Sequence, residues 1–155
     1  MSFFRNFHLL SISSKSVILL SILGLLPFFF GLIDIIVNED NLFFKINIPK
    51  YYGSIILTFL GAAYWGIVLQ NSNKSSISEK VKTYITCWSI VPSLMGGIIL
   101  IVSHEISIIV LALGFIFVQF IDEFIIKYFN FPIWYLLLRR TLTVIVTFIL
   151  IFSYF

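Results

Sequence analysis

Charge is what this chain has least of: 11% of its 155 residues are Asp, Glu, Lys or Arg, against about a quarter in a soluble domain. A water-facing surface cannot be covered with so few charges, so lipid must be the solvent for most of the molecule. Cysteine is almost missing too. Cys87 stands alone, which excludes an intramolecular disulfide and leaves the redox compartment open. The two histidines, His8 and His104, are far apart, and His104-Glu105 lacks the second histidine of a zinc-protease motif. No metal and no cofactor is expected. Basic residues exceed acidic ones, giving a net charge of +3 and a pI of about 9.1. They are scattered among loops with no basic face and no aromatic-basic reading module, so nucleic acid is not an expected partner.

What is present is apolar length. The mean hydropathy is +1.09, and runs of roughly 20 residues, enough to cross a bilayer core, recur five times. They lie at about 16–37, 51–70, 84–102, 106–126 and 133–154. In hydrocarbon the backbone must satisfy its own hydrogen bonds, and runs this continuously apolar are helices rather than alternating barrel strands. The expected fold is therefore all-α, an integral membrane bundle of five transmembrane helices forming one domain over 1–155. The connections "NEDNLFFKINIPK" and "NSNKSSISEKVKT" are too short for an extramembrane domain.

Arg5, Lys15, Lys74, Lys80, Lys82 and Lys127 share one side of such a bundle, with Arg139 and Arg140 close by; Lys45 and Lys50 lie on the other. The positive-inside bias then places the N-terminus in the cytoplasm and the C-terminus outside. Residues 1–15 read as a short amphipathic helix lying in the interface. Phe3, Phe7 and Leu10 fall on one face, and Arg5, His8 and Lys15 lie away from it. A small-residue cleavage site is lacking, which argues against a signal peptide; a mitochondrial presequence is the competing reading.

Small residues are grouped. Gly53, Ser54, Thr58, Gly61, Ala62 and Gly66 punctuate the second span, Ser89, Ser93 and Gly97 the third, and Gly24, Gly31 and Asp34 share a face of the first. Such stripes let helix backbones approach closely in lipid. Pro27 and Pro92 each remove a helical hydrogen bond and should kink their spans. Packing is the plain reading; a solute cavity between the first and third spans, opened by the two kinks, is the sharper one.

The stretch "FIDEFIIKYFNFPIWYLLLRR" places four charges inside apolar runs. Its loop is short, so the fourth and fifth spans are antiparallel neighbours. Asp122 and Arg139 are nearly equidistant from Asn130 and should lie at one depth, with Gln119 and Thr143 a turn deeper. Adjacent helical residues point about 100° apart, so one member of each charged pair should face its partner, with Glu123 and Arg140 snorkelling to water. Headgroup-zone charges, an Asp122–Arg139 clamp and a proton- or substrate-handling site are all open.

Several motifs together resemble a known family. "GLLPF", "YYGSIILTFLGAAYWG", "WSIVPSLMG", "LALGF" followed by Asp122, and "FPIWYLLLRRTLT" are similar, in order and over nearly the whole chain, to the domain of unknown function 3429 family. Its animal relative is called transmembrane protein 69. Tyr64 departs from bacterial members, which often carry a charged residue or His before the tryptophan here numbered 65. The resemblance implies a multi-span inner-membrane protein with mitochondrial relatives, and it brings no established activity and no catalytic residues.

Function is accordingly expected to be non-enzymatic: an assembly, accessory or partner-binding subunit whose partners are the bilayer and another membrane protein or a second copy. A small transporter or channel, built around a polar site at the inner end of spans four and five, is the alternative. A bacterial inner membrane is the expected location, with the mitochondrial inner membrane as second choice.

Overall fold

A computed structural model describes residues 11–37, 42–73, 77–129 and 131–154. Their order is α1 (Ile12–Leu23), α2 (Leu26–Val37), α3 (Leu42–Gln70), α4 (Glu79–Ile101), α5 (His104–Ile125), a 3₁₀ turn (Ile126–Tyr128) and α6 (Ile133–Tyr154). Among the described residues there is no strand, and five segments are long and apolar enough to cross a membrane: Ile12–Ile33, Ile48–Gln70, Glu79–Ile101, Ile106–Tyr128 and Ile133–Ser153.

Local chemistry sets the ends. Ser11 caps α1, its side chain accepting from the Ser14 amide at 3.3 Å, and Ser78 caps α4, accepting from Val81 at 3.4 Å. Each satisfies an amide that the first helical turn leaves unpaired. Residues 12–15, expected in an interfacial helix, are the first turn of α1; residues 1–10 of that segment lie outside the described residues. The first span is interrupted for two residues but stays helical through them. Gly24 keeps a right-handed helical backbone, and its amide donates to the Leu20 carbonyl at 2.9 Å. Pro27 cannot donate to the carbonyl of Leu23 and its ring crowds that turn, so α1 stops at Leu23 and α2 restarts at Leu26. Tyr52 holds the break in place, its hydroxyl donating to the Gly24 carbonyl at 3.0 Å. Pro92, by contrast, lies inside an uninterrupted α4. The helix of the second span extends beyond its apolar run: α3 starts at Leu42 and passes through Pro49, whereas the span-length segment starts at Ile48.

The bundle is apolar on the outside as well as within. Ile101, Ile133 and Ile12 are 88%, 87% and 85% exposed, an arrangement that only a lipid solvent tolerates over so much surface. At its centre Leu57, Ile99, Leu111, Val118 and Leu150 are fully enclosed. Phe28 makes edge contacts to Tyr52 and Phe115, at centroid distances of 5.3 and 6.4 Å. A second cluster, under the α3–α4 and α5–α6 connections, holds Tyr64, Ile77, Ile85, Ile125 and Phe129.

α3 is the hub, packed on α2, α4 and α5, and glycine is what lets its neighbours in. A Cβ on Gly61 would stand 2.5 Å from the Ser89 carbonyl and 3.1 Å from Pro92, and one on Gly96 would stand 2.6 Å from Thr58 Oγ1. Gly53 is filled by Leu111, and Gly31 receives Pro49. The seam thus follows Ser54, Leu57, Gly61 and Tyr64 on α3, and Ser89, Pro92, Gly96 and Ile99 on α4. This corrects the sequence stripes. Ala62 is exposed, Ser93 is only partly covered, and Gly66 and Gly97 have no neighbour within 4 Å of where a Cβ would sit. A step of four residues drifts about 40° around a helix of 3.6 residues per turn, so a strict i+4 stripe walks off the contact within two steps. The real seam alternates steps of three and four.

The two glycine classes should respond oppositely to alanine. Gly61→Ala must displace backbone and should destabilise by ~1–3 kcal/mol. Gly97→Ala meets open space and should be neutral or stabilising by up to ~1 kcal/mol. Thermal unfolding of both variants in one detergent reads the two signs.

Candidate functional site

The polar content of the membrane interior concentrates where α5 and α6 meet. Their connection is tight: the Phe131 amide donates to the Phe129 carbonyl at 2.8 Å, and Pro132 opens the next helix, its carbonyl accepting from Tyr135 at 3.0 Å. Proline suits that place because the first turn needs no amide from it. The helices therefore run antiparallel from a common origin, and residues equally far from the turn share a depth.

Asp122 and Arg139 are brought together. Arg139 Nε donates to Asp122 Oδ2 at 2.8 Å, and Nη2 donates to the same oxygen. Their side chains are only 11% and 10% exposed. One turn deeper, Thr143 Oγ1 donates to Gln119 Oε1 at 3.4 Å, and Gln119 Nε2 reaches back to Glu123 Oε1 at 3.4 Å. Glu123 also accepts from Arg140 Nε at 2.8 Å. Glu123 and Arg140 reach water as expected, their side chains 41% and 55% exposed, and beyond that expectation they pair with each other. The arginine stem is long enough to reach around the rim of the interface, so a 100° offset on the helix does not prevent a second contact.

The result is a ladder of two ion pairs with Gln119 as the cross-member. Asp122, enclosed and held by two guanidinium donors, is a lock between helices. Removing either charge alone strands the other in a low-dielectric setting, whereas the rim pair sits where screening makes it weak. Thr147, one turn beyond Thr143, is enclosed, and its hydroxyl has no hydrogen-bond partner among the described residues. The same is true of the Tyr64 hydroxyl and Trp88 Nε1. Among the described residues no three His, Cys, Asp or Glu side chains gather as metal ligands.

Two further polar contacts were not legible in the sequence. Lys50 and Lys82 read as loop charges, yet both are buried. Lys50 Nζ donates to the carbonyl of Val102, just past the end of α4, at 2.8 Å. Lys82 Nζ donates to Ser72, just past the end of α3, at 2.6 Å, and pairs with Glu79 at 2.7 Å. A cation at the end of a helix meets its unpaired carbonyls and the negative end of its dipole. Each lysine fastens one end of the α3–α4 hairpin, and only the tertiary fold says where a four-carbon stem will end.

A groove of about 360 Å³ lies on the other side of Arg139 from Asp122, walled by the interrupted first span, α3, α5 and α6. This corrects the expected cavity between the first and third spans: no α4 residue lines it. Pro92 makes no opening because it is buried against Gly61.

Removing one partner of the enclosed pair should be far worse than removing both. Asp122→Ala or Arg139→Ala should cost ~3–5 kcal/mol, and the double variant Asp122→Leu/Arg139→Met distinctly less. Glu123→Ala should cost ~0–1 kcal/mol. A denaturant-unfolding double-mutant cycle in mixed micelles measures all of these.

No curated protein and no solved structure matches the chain. A family model described as Protein of unknown function (DUF3429) matches residues 13–155, a stretch that holds every described membrane-spanning helix except its first residue, and with them the α5–α6 ladder. The chain belongs to the DUF3429 family.

Proposed function

We propose that this protein is a non-enzymatic membrane subunit that works by binding another membrane protein, or a second copy of itself, side-on in the bilayer. The observation that carries this is the placement of Gly66 and Gly97. A Cβ built on either would meet no described residue within 4 Å, and Ala62, one turn before Gly66, is exposed as well. Glycine inside a helix costs about 1 kcal/mol against alanine, and lipid gives no reason to leave that gap. A close-packed neighbouring backbone does.

The orientation proposed with it has the N-terminus in the cytoplasm and the C-terminus outside. It is supported by Lys15, Lys80, Lys127, Arg139 and Arg140 at one end of alternating antiparallel spans. A bacterial inner membrane is the proposed location, with the mitochondrial inner membrane as the alternative. The second functional reading, a small transporter using the polar end of α5 and α6, rests on the same ladder. It requires a solute to displace Arg139 from Asp122, which is a costly step in lipid, and the lateral-binding reading requires no such rupture.

Affinity purification in mild detergent should return a stoichiometric partner or a dimer, and Gly97→Leu should abolish it while leaving the helical signal intact. Repeated recovery of the bare monomer by native mass spectrometry would refute the proposal. For orientation, a green fluorescent protein fused to the C-terminus should stay dark, and alkaline phosphatase at the same point should be active. The reverse pattern would invert the topology.

A further inference from the structure

We propose that the groove beside Arg139 is a binding site for one acyl chain of an anionic glycerophospholipid, with the phosphodiester seated against the Tyr135–Arg139 end. The groove is independent of the small-residue surface invoked for protein partners. Its size, about 360 Å³, is within the range of about 300–1,000 Å³ typical of ligand pockets. From Tyr135 to Val146, both in its wall, α6 rises about 16 Å. That is close to one leaflet's half of the ~30 Å hydrocarbon core. The length fits one tail from one leaflet.

The chemistry of the walls is asymmetric. Toward Phe28 and Val146 the lining is apolar; toward the α5–α6 turn, Tyr135, Arg139 and Thr143 stand at successive steps of four on α6. Asp122 is not part of the lining. Both donors that Arg139 gives to Asp122, from Nε and Nη2, converge on Oδ2, out of the five N–H donors a guanidinium carries. The arginine, and not the carboxylate, borders the groove, so the positive end of the ion pair faces it. A phosphodiester oxygen complements that end better than a second protein helix or a neutral tail alone would. Gly24 and Leu25, between α1 and α2, also line the groove.

The test uses the full chain in nanodiscs of phosphatidylcholine containing one-tenth phosphatidylglycerol, extracted into mild detergent, with bound lipid counted by native mass spectrometry. One phosphatidylglycerol should be retained per chain, favoured over phosphatidylcholine by about fivefold after correction for abundance. Ala63→Trp and Ser21→Phe fill the groove from opposite walls, and each folded variant should lose the retained lipid. Leu69→Trp, exposed and outside the groove, should keep it. Asp122→Asn with Arg139→Gln, which leaves a neutral hydrogen-bonded pair, should still retain lipid but without preference for the anionic headgroup. Equal retention of the two lipids by the wild type, or unchanged retention in a folded groove-filling variant, would mean ordinary annular lipid and would overturn the proposal.

Discussion

In hydrocarbon, apolar side chains gain little from meeting one another, because the lipid they leave is as apolar as the neighbour they find. The helices of this bundle must therefore be held by what lipid cannot offer: very close van der Waals contact, and polar groups that have nowhere else to go. Gly61 against the Ser89 carbonyl and Gly96 against Thr58 supply the first. The Asp122–Arg139 pair supplies the second. These two devices divide the molecule, with α3 and α4 joined by shape and α5 and α6 joined by charge. Gly53 and Gly114, which take Leu111 and meet Leu57, fit the two halves together.

The same constraint explains where the lysines go. A helix end near the bilayer surface has carbonyls that no continuing turn will satisfy, and an ordinary soluble protein leaves them to water. Here Lys50 and Lys82 cover such groups at opposite ends of one hairpin. Both are pulled from the loop population that the topology count relies on. The count is little changed, because one lysine is drawn from each side. Lysine suits the task since its stem packs against apolar surface while the ammonium reaches the carbonyl.

How much of this was legible in the sequence depended on which period carried the information. Spans announce themselves by length alone, so all five were readable, and counting outward from Asn130 put Asp122 and Arg139 at one depth while leaving open whether they faced each other. Seam residues were harder. Ser54, Thr58, Ala62 and Gly66 look like a stripe at steps of four, but the true seam leaves Ala62 and Gly66 outside because the helix turns about 40° further with each such step. Proline was ambiguous for a different reason. Pro27 and Pro92 carry the same local penalty, yet one ends a helix and the other sits in an unbroken one. What separates them is the neighbour. Gly61 makes room for the Pro92 ring, whereas at the first span Tyr52 captures the Gly24 carbonyl and fixes the break. Neither tertiary partner could be read from the prolines themselves.

That break connects the mechanical and the chemical halves of the molecule. Around Gly24 and Leu25 the first span forms one wall of a groove, and another wall is the helix that carries Arg139. An arginine whose only task was to clamp α5 to α6 would be best surrounded completely, because each unfilled donor in a low-dielectric setting is a loss. Arg139 is not surrounded completely. It spends two donors on one carboxylate oxygen and also lines the groove. The clamp explains why the charge can exist at that depth; it does not explain why the charge borders the groove, and the phosphodiester proposed for that groove would be its partner there.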